Sequence, residues 1–97
     1  MTVQPTMTNA HGLCHGGVIF SVADTAFGYA CNSRGGTNLA AHAAIDFLAL
    51  GRVGDVLVAT AREQWRSGRT GLYEIEVATA AGVRLALFHG RSQQLKD

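Results

Sequence analysis

Proline, cysteine and charge are all scarce in this 97-residue chain, and each shortage narrows what it can be. Pro5 is the only proline, so nothing after it interrupts a helix or a strand. Cys14 and Cys31 are the only cysteines. Two are too few for a disulfide framework, and a reducing, cytoplasmic setting is the expectation. Charged residues make up 15% of the chain and the net charge is +1, which excludes a disordered acidic or basic tail. The arginines and Lys96 scatter from Arg34 onward without a concentrated basic stripe, so nucleic acid is not an expected partner. No apolar run approaches the ~20 residues that span a bilayer. The opening MTVQPTMTNA has neither a basic leader nor an apolar signal stretch, so neither a membrane nor export is expected.

What is plentiful is apolar: 47% of residues are hydrophobic, and there are 12 glycines. The length suits one domain, residues 1–97, because a second core would need roughly another hundred residues. Sparse charge on so small a domain predicts that a second copy of the chain covers part of its surface.

Residues 1–8 alternate loosely and read as a short strand. The glycine-punctuated stretch Asn9 to Gly17 follows, and then VIFSVADTAFGYACN, Val18 to Asn32. Val18, Ile19, Val22, Ala26, Tyr29 and Ala30 recur at helical intervals, which predicts a helix apolar on almost every face and wrapped by the rest of the chain. The loop Ser33 to Asn38 ends it. The remainder reads as strands over 39–50, 55–66, 71–80 and 83–95. Connectors RSGRT and AAG are hairpin-length and contain glycine, so the last three strands should be antiparallel neighbours. The predicted class is α+β: an antiparallel sheet curled round one helix.

Asp24 stands out, because no Lys, Arg or His lies within one helical turn to neutralise it. Two readings are open. A buried, unpaired carboxylate would have its pKa raised and be a candidate base or nucleophile; alternatively, Asp24 lies on a solvated stripe with Ser21 or bonds to neighbouring backbone. The His15-Gly16-Gly17 triplet opens the same helix. It either leaves backbone N–H groups bare for a developing oxyanion or is a tight turn that needs glycine for steric reasons. Gly17 and Asp24 are seven residues apart, ~10 Å along one face. Reacting atoms must approach to ~3–3.5 Å. If both features serve one reaction, Asp24 must come from a second copy, and two-fold symmetry then generates two sites.

Asn9, His11, Cys14 and His15 crowd the loop before the helix, but the spacing lacks the paired ligands of a zinc site, and no metal is expected. Adjacent Cys14 and His15 are poorly placed to form a nucleophile pair. His42 and His89 read as isolated strand residues. Arg34, Arg52, Arg66, Arg69 and Arg91 fall near loops or strand ends, as ordinary solubilising charge or as a phosphate-binding rim. Phe20, Phe27, Tyr29 and Phe47 offer an aromatic lining or core, and Trp65 core or interface.

The stretch TNAHGLCHGGVIFSVADTAFGYACNSRG, followed by IDFLALG and GDVLVATA, resembles the hotdog-fold thioesterases of the 4-hydroxybenzoyl-CoA thioesterase superfamily, and in particular the phenylacetate-degradation (PaaI) type. The N-x5-HGG-x6-D pattern carries the likeness, which covers nearly the whole chain. It implies a five-stranded antiparallel sheet round one long helix, dimers joined edge to edge through residues 39–50, and homotetramers built from two dimers. The implied activity is hydrolysis of an acyl-CoA thioester, with coenzyme A part of the substrate and no separate cofactor. By position, Asp24 matches the catalytic carboxylate from the facing subunit, Gly16 or Gly17 the backbone donor to the carbonyl, and Asn9 and His15 the polar pair that orients water or thioester. Arg69 and Arg91 are the residues assigned to the rest of the substrate.

Three departures stand beside the likeness. The chain begins within the family's first strand, so the N-terminal segment is expected to be missing. Ala49-Leu50 stands where the family often has Arg-Pro, and no hydroxyl residue opens the strand after the helix, where His42 is the one substitute. Competing readings are a hotdog hydratase or dehydratase and a non-catalytic acyl-CoA sensor.

Overall fold

The computed structural model describes residues 1–9, 12–33 and 35–96. One helix, α1 (Gly16–Asn32), precedes four strands, β1 (Asn38–Phe47), β2 (Leu57–Ser67), β3 (Thr70–Thr79) and β4 (Arg84–Gln94). The strands form one antiparallel sheet in the order β1-β4-β3-β2. The α+β class and the neighbouring of the last three strands are as the sequence predicts.

The β3 pattern explains the sheet's two faces. Tyr73, Ile75 and Val77 are buried, whereas Leu72, Glu74 and Glu76 point to the opposite face. On the inner face α1 lays a stripe of Ile19, Ala23, Phe27 and Cys31, spaced four apart. Phe27 meets Phe88 and Tyr73, each with ring centroids 5.6 Å apart, and Phe20 meets Phe88 edge-on at 5.3 Å. Gly90 makes that approach possible, since a Cβ there would stand 2.7 Å from the Phe27 ring.

Two expectations are corrected. Residues 1–8 are not a strand: Pro5–Met7 is a 3-10 turn, and only single bridges, Thr2 to Val56 and Thr8 to Cys14, flank it. Proline fixes φ and has no N–H for a ladder, so loose alternation of Thr and Val misleads here. The sheet accordingly has four strands among the described residues rather than five. The sheet wraps one side of α1, which packs against all four strands. Gly17, Ser21, Asp24, Thr25, Tyr29 and Asn32 form an exposed outer face.

β1 lies at an edge and is the least covered strand. It pairs only with β4, and Leu39 and Phe47 along it, with Leu48 and Leu50 just beyond, are at least half exposed. The side chain of Asn32 fixes where the strand starts: its Oδ1 accepts the Asn38 N–H at 2.8 Å, and its Nδ2 donates to the Asn38 carbonyl at 3.3 Å.

Candidate functional site

The N-terminus of α1 is held from three sides. The His15 N–H donates to the Met7 carbonyl, the Cys14 N–H donates to the Gly51 carbonyl, and Asn9 closes a short loop on Leu13. In that loop the Asn9 N–H donates to the Leu13 carbonyl at 2.8 Å while its Oδ1 accepts the Leu13 N–H at 3.2 Å. His15 is the N-cap; its carbonyl accepts from Val18 and Ile19, and its exposed side chain makes no capping bond. That leaves the amides of Gly16 and Gly17 without an acceptor among the described residues. Two unpaired N–H groups at the positive end of a helix are a ready seat for a carbonyl oxygen that gains negative charge.

Asp24 is exposed and makes no ion pair or hydrogen bond among the described residues, so within one protomer it occupies the solvated position rather than a buried one. Its direction follows from the helix. Asp24 and Ala30 lie three residues before and after Phe27, about 60° to either side of it. Ala30 shares a crevice with Ala61 of β2 and Tyr73 of β3, so Asp24 projects on the other flank, toward the β1 edge. Ser21 and Thr25, its polar neighbours, spend their hydroxyls on the Gly17 and Ser21 carbonyls. An open apolar groove of about 600 Å³ runs along Gly17, Val18, Ser21, Val22, Thr25 and Met1, and Asp24 does not line it. The glycine amides and the carboxylate are therefore not assembled within one chain.

The remaining candidates fall elsewhere. Arg69 sits in the β2–β3 turn, where its carbonyl accepts the Gln94 N–H, at the end of the fold beside the helix C-terminus. Arg91 is exposed and paired in register with Leu72 and His42. This row lies on the sheet face away from the helix, because the next β4 residue, Gly90, is the one that carries Phe27. His42 therefore does not reach the helix side, and it joins His89, Gln64, Leu72 and Arg91 in a shallow concavity of about 260 Å³ on the outer face. Burial pushes the thiols of Cys14 and Cys31 up from their ordinary value, with the Asp55 charge adding to the effect at Cys14, so neither is an activated nucleophile. Among the described residues, no group of three His, Cys, Asp or Glu is arranged to hold a metal ion, and no helix is long and apolar enough to cross a membrane. His11 and Arg34 lie outside the described residues.

Sequence reasoning missed two features. Phe47, one of four interchangeable aromatics in the sequence, lies with its ring against Gly16. The Asn32 clamp left only a faint signal, an asparagine at the end of a helix six residues before a strand.

The family model described as the Thioesterase superfamily matches residues 11–86. The chain belongs to that family. This thioesterase is 47% identical over 95 residues to the acyl-coenzyme A thioesterase PaaI of Escherichia coli (strain K12), which spans 98% of this chain and 68% of that protein. It is 40% identical over 97 residues to a putative esterase of Archaeoglobus fulgidus, covering 100% of this chain and 63% of that one. The solved structure of the E. coli PaaI protein from the phenylacetic acid degradation operon superposes with a TM-score of 0.96, over 99% of this chain and 70% of the other. The chain thus spans about two thirds of the length of these relatives, and the hotdog fold implied by the motifs is the fold observed.

Proposed function

We propose that this chain hydrolyses acyl-CoA thioesters, aryl ones such as phenylacetyl-CoA or hydroxyphenylacetyl-CoA among them, to free acid and coenzyme A. The observation that carries the reading is the pair of unpaired Gly16 and Gly17 amides in a chain of this family. They polarise the thioester carbonyl and take up charge as the tetrahedral intermediate forms. Coenzyme A is the leaving group, so no separate cofactor is needed.

The carboxylate comes from a second protomer. Asp24 projects on the flank of the open β1 edge, and two β1 strands pairing across a two-fold axis would bury exposed Leu39 and join the sheets. Asp24 of the partner subunit then faces the glycine amides, where it activates a water or attacks the carbonyl carbon itself. His15 and Asn9 flank the opening and orient water or thioester. Arg69 and Arg91 lie away from the glycine amides of their own chain and would contact the rest of the substrate from the assembled oligomer. Two such dimers make the homotetramer, and the setting is cytoplasmic.

Release of free thiol from phenylacetyl-CoA, followed with a chromogenic thiol reagent, tests the reading. Wild-type protein should release coenzyme A, and Asp24→Asn should lose ~10²–10⁴-fold in turnover while still binding substrate. An altered acyl chain without thiol release identifies a hydratase instead, binding with no reaction identifies a sensor, and undiminished hydrolysis by Asp24→Asn removes the carboxylate from the mechanism.

A further inference from the structure

The structure separates the four aromatic side chains that the sequence leaves equivalent. Phe27 is 1% exposed and wedged onto Gly90, and Phe20 is half-buried against Phe88. Tyr29 is 78% exposed on the outer face of the helix, beside Thr25 and Gly28. Phe47 differs from all three. It is 52% exposed, yet its Cζ and Cε1 lie 3.1 and 3.3 Å from where a Cβ of Gly16 would stand.

We infer that Phe47 sets the acyl-group preference of this thioesterase, the free face of its ring forming the wall against which an aryl acyl group lies. The inference rests on the proposed hydrolysis at the helix N-terminus. A thioester whose oxygen is on the Gly16 and Gly17 amides carries its acyl substituent one bond from the carbonyl carbon, within reach of a ring that already touches Gly16. The wall is rigid. Phe47 is in register with the fully buried Ala86, and the next N–H, that of Leu48, donates to the Leu85 carbonyl at 2.8 Å. A ring held by the sheet rather than by a loop loses little entropy when an aromatic group stacks on it. The same contact explains the glycine at position 16, since any side chain there pushes the ring away.

The test compares kcat/KM for phenylacetyl-CoA and octanoyl-CoA, whose acyl groups have the same carbon count. Phe47→Leu should lower the aryl-to-alkyl ratio about five- to tenfold, the scale of one lost aromatic pair, and Phe47→Tyr should keep it. Gly16→Ala should lower the ratio as well, by displacing the ring without removing it. A parallel fall on both substrates makes Phe47 a support for the helix end and overturns the inference, as does an unchanged ratio in Phe47→Leu. Failure of the wild type to hydrolyse either thioester refutes the hydrolysis reading itself.

Discussion

Two inactive variants should restore each other when mixed. Gly17 and Asp24 are separated by seven residues, ~10 Å of helix, so one chain cannot bring both to one carbonyl. Gly17→Pro removes one amide donor. It is tolerable in the first helical turn, the preceding residue is a glycine, and a Cβ at position 17 meets nothing within 4 Å. Loss of an oxyanion donor costs ~10²–10³ in kcat, so this variant, like Asp24→Asn, should be nearly silent. In a heterodimer of the two, one site combines an intact glycine turn with an intact aspartate, and the other site lacks both. Random pairing of equal amounts makes half of the dimers mixed, each with one working site of two, so activity should recover to about a quarter of wild type. The assay is thiol release from phenylacetyl-CoA after co-refolding, with two affinity tags to isolate the heterodimer, whose specific activity should be about half of wild type. A mixture no more active than the sum of its parts would mean that each protomer holds a whole site, and the shared-site reasoning would fail.

Two further outcomes follow from packing and ionisation. Gly90→Ala places a methyl 2.7 Å from two carbons of the buried Phe27 ring. The overpacking cost of ~1–3 kcal/mol exceeds the ~0.4–1 kcal/mol that the reduced freedom of the unfolded chain returns. The urea midpoint should fall and Tm should drop by several degrees; an equal or higher midpoint contradicts the wedge. The thiols of Cys14 and Cys31 are raised by burial, and the Tyr73 phenol is raised by burial and by Glu63, whose carboxylate accepts its hydrogen bond. The unfolded chain therefore loses these protons first, and stability should fall as pH rises through about 8.5–10. Urea midpoints from neutral to alkaline pH check this, and a flat profile contradicts it.

Legibility in the sequence depended on whether the cause was local. The alternation of Tyr73, Ile75 and Val77 with Leu72, Glu74 and Glu76 is a two-residue period and survives intact in β3. The hairpins likewise depend on short connectors. β1 shows no alternation, because Ala40-Ala41 and Ala43-Ala44 are small on both faces, and its pairing with β4 is a crossover that no connector announces. The polar stripe of the helix was legible in Ser21 and Asp24, which are exposed together, whereas Tyr29, counted among its apolar positions, faces solvent as well. For the site, the spacing of Gly17 and Asp24 was readable in advance, since it needs only the helical rise. The seating of Phe47 on Gly16 was not, because 31 residues separate them and only the register of β1 on β4 brings them together.

The Asn32 amide has a practical corollary. Its two bonds to Asn38 set where the edge strand begins, in addition to the turn at Gly35 and Gly36, both at positive φ. Extra residues spliced in after Gly35 should cost only the slowly growing entropy of a longer loop, ~0.6 kcal/mol per doubling, and leave Asp24 where it is. That spot is a port for a reporter peptide or fluorophore tether on an otherwise unaltered enzyme.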